Sequence, residues 1–201
     1  FLYSKIEKRD NMLNLKLPVV ETERLILRPI LLSDASDMFE YAGDDENIKF
    51  LSFPKHKTVE DSKVAIDMFF LTRPDKGVPE AYALVLKENN KMIGTCDLHQ
   101  ISSKTTGEIG FVLNKKYWGI GLMTEACKKL IEVSFEHIGL ERIEIMHNVE
   151  NVASKIETMS GLVEKWKGLV AGIDPTNEDE YRTLLMTEVY SKVDPETYAL
   201  K

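Results

Sequence analysis

The chain has 201 residues with a formal net charge of −7, and hydrophobic and charged residues make up 43% and 29% of it, which is ordinary for a folded globular protein and excludes an intrinsically disordered one. The acidic balance argues against nucleic acid or an anionic membrane surface as the main partner. No apolar run approaches the ~20 residues of a membrane-spanning helix, so we expect a cytoplasmic protein with no membrane partner.

The first eleven residues are set apart from the rest of the chain. Native chains rarely begin with Phe, and Met12 offers a start, so residues 1–11 are expected to be an upstream extension and residues 12–201 a single domain. A domain of this size buries roughly 70% of its unfolded surface, enough to fold without disulfides or metals. The two widely spaced cysteines, Cys96 and Cys127, are expected to be buried thiols, with Cys127 on the apolar face of a helix.

The first predicted elements are a strand and two helices. Residues 22–30 alternate in polarity and end at a proline, which predicts a strand. A short helix follows over residues 33–41. Thr58 and Asp61 have the spacing of a capping box and predict the start of a helix that ends near Leu71.

Three strands are predicted next, over residues 81–87, 91–102 and 107–113. Asn89 and Asn90 tolerate positive φ and predict a tight hairpin between the first two strands. The third strand places Ile109, Phe111 and Leu113 on one face.

A long helix is then predicted over residues 121–138, because its apolar residues recur at helical spacing and Gly139 suits the position after its end. A strand over 141–147, a short helix over 151–160 and two strands over 162–170 and 181–190 follow. This order predicts an α/β (α+β) single domain with a mixed, mostly antiparallel central sheet flanked by helices.

The segment between the third of those strands and the long helix carries the chemistry. Its sequence, KKYWGIGLMTEA, places Gly119 and Gly121 between a strand and a helix start, where Thr124 adds a hydroxyl. Glycines permit positive φ and close backbone approach, and a helix start offers unpaired N–H groups and the positive end of a dipole. The pattern therefore predicts a pyrophosphate cradle, with a ligand-free tight turn as the alternative. The dinucleotide and Walker signatures do not fit it.

Three segments together resemble the GNAT N-acetyltransferase superfamily, in its RimJ/RimL-type branch of ribosomal-protein N-terminal acetyltransferases. TERLILRPILLSDASDMF is similar to that branch's opening strand and helix, GEIGFVLNKKYWGIGLMTEA to its central strand and cofactor loop, and ERIEIMHNVENVAS to its next strand and turn. The resemblance spans about residues 17–193. It implies a GNAT-like acyl-CoA N-acyltransferase fold that uses acetyl-CoA as cosubstrate and no metal.

The resemblance also implies positions for the site residues. The backbone of Val112 and Leu113 would face the pantetheine arm, in a gap between the strands over 107–113 and 141–147. Asn151 and Ser154 would contact the cofactor near its reactive end. Glu108 would be the general base, with a solvated strand-end residue as the alternative, and His147 is a lesser catalytic candidate. The pyrophosphate would be held by the N–H groups of Trp118, Gly119, Ile120, Gly121 and Leu122.

Four departures from the family pattern are visible. Lys116 stands where the superfamily often has Gln or Arg, and Met123 replaces a small residue and would narrow the loop. The segment 151–161 is one residue shorter than expected. The family's frequent tyrosine acid has no match there, so protonation of the leaving thiolate has no assigned residue.

The function expected from the resemblance is acetyl transfer to an amine, by direct attack in a ternary complex that aligns both substrates. The expected acceptor is a protein or peptide N-terminal α-amine, such as that of a ribosomal protein. A small amine (a polyamine, an amino acid or an aminoglycoside) and a non-catalytic acyl-CoA sensor are the alternatives. A homodimer is left open. Tyr117 and Trp118 are expected to pack beneath the loop, and the acidic run 44–46 to be a solvated turn.

Overall fold

The computed structural model describes residues 13–103, 106–140 and 142–145, and within them six strands form one sheet in chain order. The strands are β1 (Val20–Glu21), β2 (Leu25–Pro29), β3 (Tyr82–Leu86), β4 (Met92–Ser103), β5 (Thr106–Leu113) and β6 (Arg142–Ile145). Neighbouring strands pair antiparallel, except that β6 runs parallel to β5. A parallel pair needs a crossover connection, which the long helix between β5 and β6 supplies. The predicted mixed, mostly antiparallel sheet is confirmed.

Four α-helices accompany the sheet in the described residues: α1 (Ala35–Ala42), α2 (Asp45–Ile48), α3 (Val59–Ala65) and α4 (Leu122–Val133). Single π-helical turns, Ile66–Phe70 and Ser134–Ile138, extend α3 and α4. The predicted capping box at the start of α3 is confirmed, because the Thr58 side chain accepts a hydrogen bond from the Asp61 N–H and Asp61 bonds back. Gly139 ends the second extended helix in the left-handed region, at φ 88°, as predicted. No helix of this described part is long and apolar enough to cross a membrane.

The two faces of the sheet are covered by different helices. One face packs against α4 in a core that includes Leu84, Leu98 and Leu130, and the other packs against α1 and α3 around Tyr41 and Ile66. Cys96 and Cys127 join the α4 core as free, buried thiols, with 3.9 Å between their sulfur atoms.

Strand alternation assigns each residue of β5 to one of these faces. Ile109, Leu113 and the partly buried Phe111 pack in the α4 core, as predicted. Glu108 and Val112 therefore point toward the layer of α1 and α3, where Val112 packs against the second core. The helix predicted over 151–160 and the strands predicted over 162–170 and 181–190 lie outside the described residues.

Gly94 permits the close approach of β4 to β5. It pairs with Leu113, and a Cβ at this position would overlap the Val112 carbonyl oxygen and lie 3.0 Å from the Leu113 Cα. We expect Gly94→Ala to lower the free energy of unfolding by about 3 kcal/mol or more, because two backbones would have to separate. Gly77→Ala is the matched control: its site has a left-handed φ of 73° but open space around it, so the expected loss is ~1–2 kcal/mol. Urea denaturation measures both, and an equal or smaller loss at Gly94 would contradict this account of the strand contact.

Candidate active site

The loop between β5 and α4 exposes its backbone. Gly119 and Gly121 both adopt left-handed conformations, with φ of 74° and 78°. A Cβ added to Gly119 would meet no atom within 4 Å, and one added to Gly121 would meet only Arg24 Nη2, at 3.6 Å. Side chains at either position would therefore project into open space, so these glycines leave a cradle lined by backbone.

The start of α4 completes this cradle. Gly121 is the N-cap residue, and no side chain caps the helix. The first N–H groups of an α-helix have no intrahelical partners and lie at the positive end of its dipole, so the loop can bind an anion. Thr124 occupies the third position of the helix. Leu122 and Met123 are buried in the α4 core, and Met123 therefore does not narrow the loop, in contrast to what its size suggested.

The beginning of the loop is tied to α2 by a buried side chain. Asn47 Nδ2 donates to the Leu113 carbonyl oxygen at 2.9 Å, and its Oδ1 accepts from the Lys115 N–H at 2.7 Å. The Trp118 indole Nε1 donates to the same Leu113 oxygen at 2.8 Å. Trp118 stays 41% exposed instead of packing beneath the loop, whereas Tyr117 does pack against the α4 core. Asn47 carried no signal for this role in the sequence.

Hydrogen bonding along β5 distinguishes Val112 from its neighbours. The Asn114 N–H donates to the Ile93 carbonyl, and the antiparallel register pairs Val112 with Thr95. Bonded pairs alternate along an antiparallel ladder, so the polar backbone groups of Val112 point toward β4. Those of Phe111 and Leu113 point to the opposite edge. The backbone of Val112 therefore does not face the gap beside β5, contrary to the expectation. The backbone groups of Phe111 and Leu113 face it instead.

Glu108 lies well away from the loop on the same strand. It precedes Leu113 by five positions, about 17 Å of extended chain. Its neighbours in register are Gln100 on β4 and Glu144 on β6. The Glu108 side chain is partly buried and points toward the α1 and α3 layer, so its carboxylate lies on that face of the sheet.

Cations near the loop are paired with acids. Lys115 Nζ lies 2.9 Å from Asp44 and 3.0 Å from Glu46, and these hydrogen bonds raise the pKa of Lys115. Lys116 Nζ lies 3.2 Å from Glu40. The acidic run 44–46 is thus not only a solvated turn, since Asp44 also caps α2 by accepting from two backbone N–H groups. Because these lysine charges are balanced, backbone N–H groups remain the main attraction for an anion at this loop.

Arg24, immediately before β2, is a residue of this site that carried no signal in the sequence. Its Nη1 donates to the Ile120 carbonyl oxygen at 2.8 Å, and its Nε and backbone N–H donate to the two oxygens of Glu125, each at 2.8 Å. These contacts join positions about a hundred residues apart in the chain, so no local pattern reveals them.

The remaining candidates do not add to this site. Asn151, Ser154 and His147 lie outside the described residues. His56, which the sequence did not indicate as a site residue, is buried and shares a hydrogen bond with the Ser62 hydroxyl, and burial lowers the pKa of His56. Among the described residues, no group of three His, Cys, Asp or Glu side chains is arranged to hold a metal ion.

Comparisons with known proteins agree on one family. A sequence model of the acetyltransferase (GNAT) domain matches residues 24–156. The chain is 32% identical over 150 residues to the uncharacterized N-acetyltransferase p20 of Bacillus licheniformis, which covers 74% of this chain and 83% of that protein.

Solved structures show the same fold. An acetyltransferase of the GNAT family from Bacillus anthracis superposes with a TM-score of 0.63 at 24% identity, covering 72% of this chain and 82% of that one. RimL, a ribosomal L7/L12 alpha-N-protein acetyltransferase in complex with coenzyme A, superposes with a TM-score of 0.61 at 20% identity, covering 72% and 81%.

Gly119→Ala tests whether the open cradle binds a ligand. The new methyl group meets no protein atom, so the expected stability loss is only the ~1–2 kcal/mol of a left-handed Ala. Coenzyme A affinity should fall roughly tenfold or more, because the methyl group covers the backbone N–H groups. Gly139→Ala is the matched control, since Gly139 has φ 88° and equally open space at the other end of the same helix. Calorimetric titration of both variants that gave equal coenzyme A affinities would reject the cradle as the site.

Proposed function

Because the chain belongs to the GNAT family of acetyltransferases and is an N-acetyltransferase, we propose that it transfers acetyl from acetyl-CoA to the N-terminal α-amine of a protein or peptide. The observation that carries this proposal is the open backbone cradle at Gly119 and Gly121, which follow Glu108 by 11 and 13 residues on one continuous segment. The loop suits a pyrophosphate, and the strand before it, β5, contains the Glu108 carboxylate.

The residues of the cradle fit an anionic cofactor. The N–H groups of residues 119–122 would hold the pyrophosphate, with Thr124 beside them. The expectation for Trp118 is wrong, because its N–H donates to the Lys115 carbonyl oxygen at 3.2 Å. The edge groups of Phe111 and Leu113 would pair with the amides of the pantetheine arm. For Leu113 that role falls to its N–H, because its carbonyl oxygen already accepts from Asn47 and Trp118. Asn151 and Ser154 would contact the arm near its reactive end.

The chemistry assigns two roles to the chain's own groups. Acetyl-CoA supplies, when bound, a thioester carbonyl that a neutral amine can attack. An N–H at the β5 edge stabilises the charge that develops on an acyl oxygen in such a reaction. Glu108 takes the proton of the incoming ammonium group, directly or through water. Binding both substrates on one strand edge aligns them and raises their effective concentration.

The choice of an α-amine rests on proton affinity. A peptide α-amino group has a pKa of about 7.7–8.0, whereas that of a lysine side chain is about 10.4. An appreciable fraction of α-amine is neutral near pH 7, so a single carboxylate such as Glu108 suffices as the base. The structural similarity to RimL, named as an alpha-N-protein acetyltransferase, supports the same acceptor class.

The two alternatives make different demands on the site. A small-amine acetyltransferase would use the same cradle and base, and only its acceptor would differ. A non-catalytic sensor would keep the cradle without needing Glu108. A Met123 side chain that narrowed the loop would have favoured a degenerate, non-catalytic protein, but Met123 is buried in the core and leaves the loop open.

Glu108→Gln tests the proposed base. We expect kcat to fall roughly 10²–10⁴-fold, the range for removing a general base, with little change in acetyl-CoA binding. A pH–rate series should use two matched peptides, one with a free N-terminus and one with only a lysine amine. For both, the rate should rise with pH as the amine loses its proton, and the N-terminal peptide should react faster at neutral pH.

Glu88→Gln is the control, because it removes the same charge in the exposed turn between β3 and β4. A near-normal kcat for Glu108→Gln at neutral pH would exclude Glu108 from the mechanism. A clear preference for the lysine peptide, or for free small amines, would overturn the N-terminal assignment while leaving the enzyme class intact.

A further inference from the structure

We propose that Arg24 and Glu125 form a positioning pair that sets the orientation of the Ile120–Gly121 peptide in the cofactor loop, an inference that rests on the acetyl-CoA site proposed above. Neither residue needs to touch the cofactor. Their role is to determine which side of the loop presents its N–H group and which side presents its carbonyl oxygen.

The pair is held by a connected set of hydrogen bonds. Both carboxylate oxygens of Glu125 accept from Arg24, one from its backbone N–H and one from Nε, and Nη1 of the same guanidinium reaches the Ile120 carbonyl. The planar fork of arginine allows these bonds to form together, which a lysine ammonium cannot reproduce. The start of β2 is thereby joined to both the loop and the first turn of α4.

The bond to Ile120 determines the direction of the next N–H group. In a trans peptide the C=O and N–H bonds point to opposite sides, and the described peptide bonds are all trans. Since Arg24 holds the Ile120 oxygen toward β2, the Gly121 N–H points away from Arg24. Without this bond the peptide could flip, because Gly121 tolerates either sign of φ, and a carbonyl oxygen would then face the phosphate.

Glu125 is an unexpected charge at this place, because it adds a negative group to the turn that should bind an anion. Burial alone would raise the pKa of Glu125, but hydrogen bonds from Thr22 and Arg24 together outweigh it and lower the pKa, so the group is ionised at neutral pH. Its side chain is only 17% exposed, against 42% for that of Arg24. The carboxylate therefore anchors a longer and more exposed side chain in one conformation.

Glu125→Gln separates positioning from simple electrostatics. Removing a negative charge beside an anion site should tighten coenzyme A binding if charge alone mattered. The amide NH₂ group cannot accept a bond from Arg24, so the positioning role predicts the opposite result. We expect a roughly tenfold weaker coenzyme A affinity and a similar rise in the KM for acetyl-CoA, with kcat close to wild type. Glu136→Gln is the control, because it removes an exposed charge at the far end of the same helical segment.

Substitutions of Arg24 complete the test. Arg24→Lys keeps the charge but loses the fork, so we expect it to lose as much coenzyme A affinity as Arg24→Met does. The double variant Arg24→Met/Glu125→Gln should be no weaker than Arg24→Met, because the two residues act together. With acetyl-pantetheine, a donor without the pyrophosphate, kcat/KM should be the same for wild type and every variant. Circular dichroism confirms that each variant is folded.

Each outcome bears on a specific claim. Coenzyme A binding to Glu125→Gln as tight as to wild type, or tighter, would overturn the positioning pair and leave the proposed function standing. Full retention of affinity in Arg24→Lys, or an equal loss of activity with acetyl-pantetheine, would also overturn it. A wild-type protein that binds no coenzyme A would overturn the proposed function and this inference with it.

Discussion

The site depends on one constraint at the end of β5, where the backbone must stop pairing with its neighbours and still keep its polar groups in fixed directions. A buried segment would satisfy those groups internally, since unpaired backbone polar atoms are expensive to bury. Through Trp118 the N–H groups of this loop donate within the protein, and two of the loop's carbonyl oxygens are held by side chains from elsewhere. The Leu113 oxygen is held by Asn47 and Trp118, and the Ile120 oxygen by Arg24. With these carbonyl oxygens engaged, the N–H groups at the start of α4, which no side chain caps, are the ones that can face an anion.

The same arrangement explains how an acidic protein can bind an anionic cofactor. Charges farther apart than ~8 Å are largely screened at physiological ionic strength, so the net charge of −7 acts only weakly on the loop. The nearest lysines, Lys115 and Lys116, are balanced by acids on α1 and before or within α2. Attraction is left to dipoles and N–H groups whose positions the fold determines. A pyrophosphate bound at such a site would be recognised by its shape more than by its total charge.

The parts of this structure that the sequence predicts are those with local signals. The capping box of Thr58 and Asp61, the glycine after the long helix and the strand over 107–113 depend on residues within a few positions of each other. The two-residue strand β1 was missed because so short a segment has no periodicity. Met123 was misjudged because it stands where the family has a small residue, which suggested a narrower loop, whereas the helical phase turns its side chain into the core.

The contacts that orient the loop could not be predicted in this way. Asn47 reaches the loop from 66 positions away in sequence, and Arg24 reaches Ile120 from 96. Neither residue is unusual in its own segment: Asn47 lies in the first turn of α2, and Arg24 directly precedes β2. Only the pairing of the sheet and the docking of α2 bring them to the loop. Sequence therefore locates the glycines that make a cradle possible, while tertiary structure determines which way the cradle faces.

The register of β5 also decides from which face of the sheet the amine of the proposed reaction would reach Glu108. Ile109 and Leu113 point toward α4, so that face is filled by the core and closed to an acceptor. Glu108 points to the other face, toward α1 and α3, and the irregularity in β4 between Leu98 and Gln100 lies directly beside it. Bulges of this kind increase local twist and redirect neighbouring side chains. An amine that reaches Glu108 must therefore approach from the α1 and α3 side. It follows that changes in that helical layer should alter acceptor choice, whereas changes in α4 and its loop should alter cofactor binding.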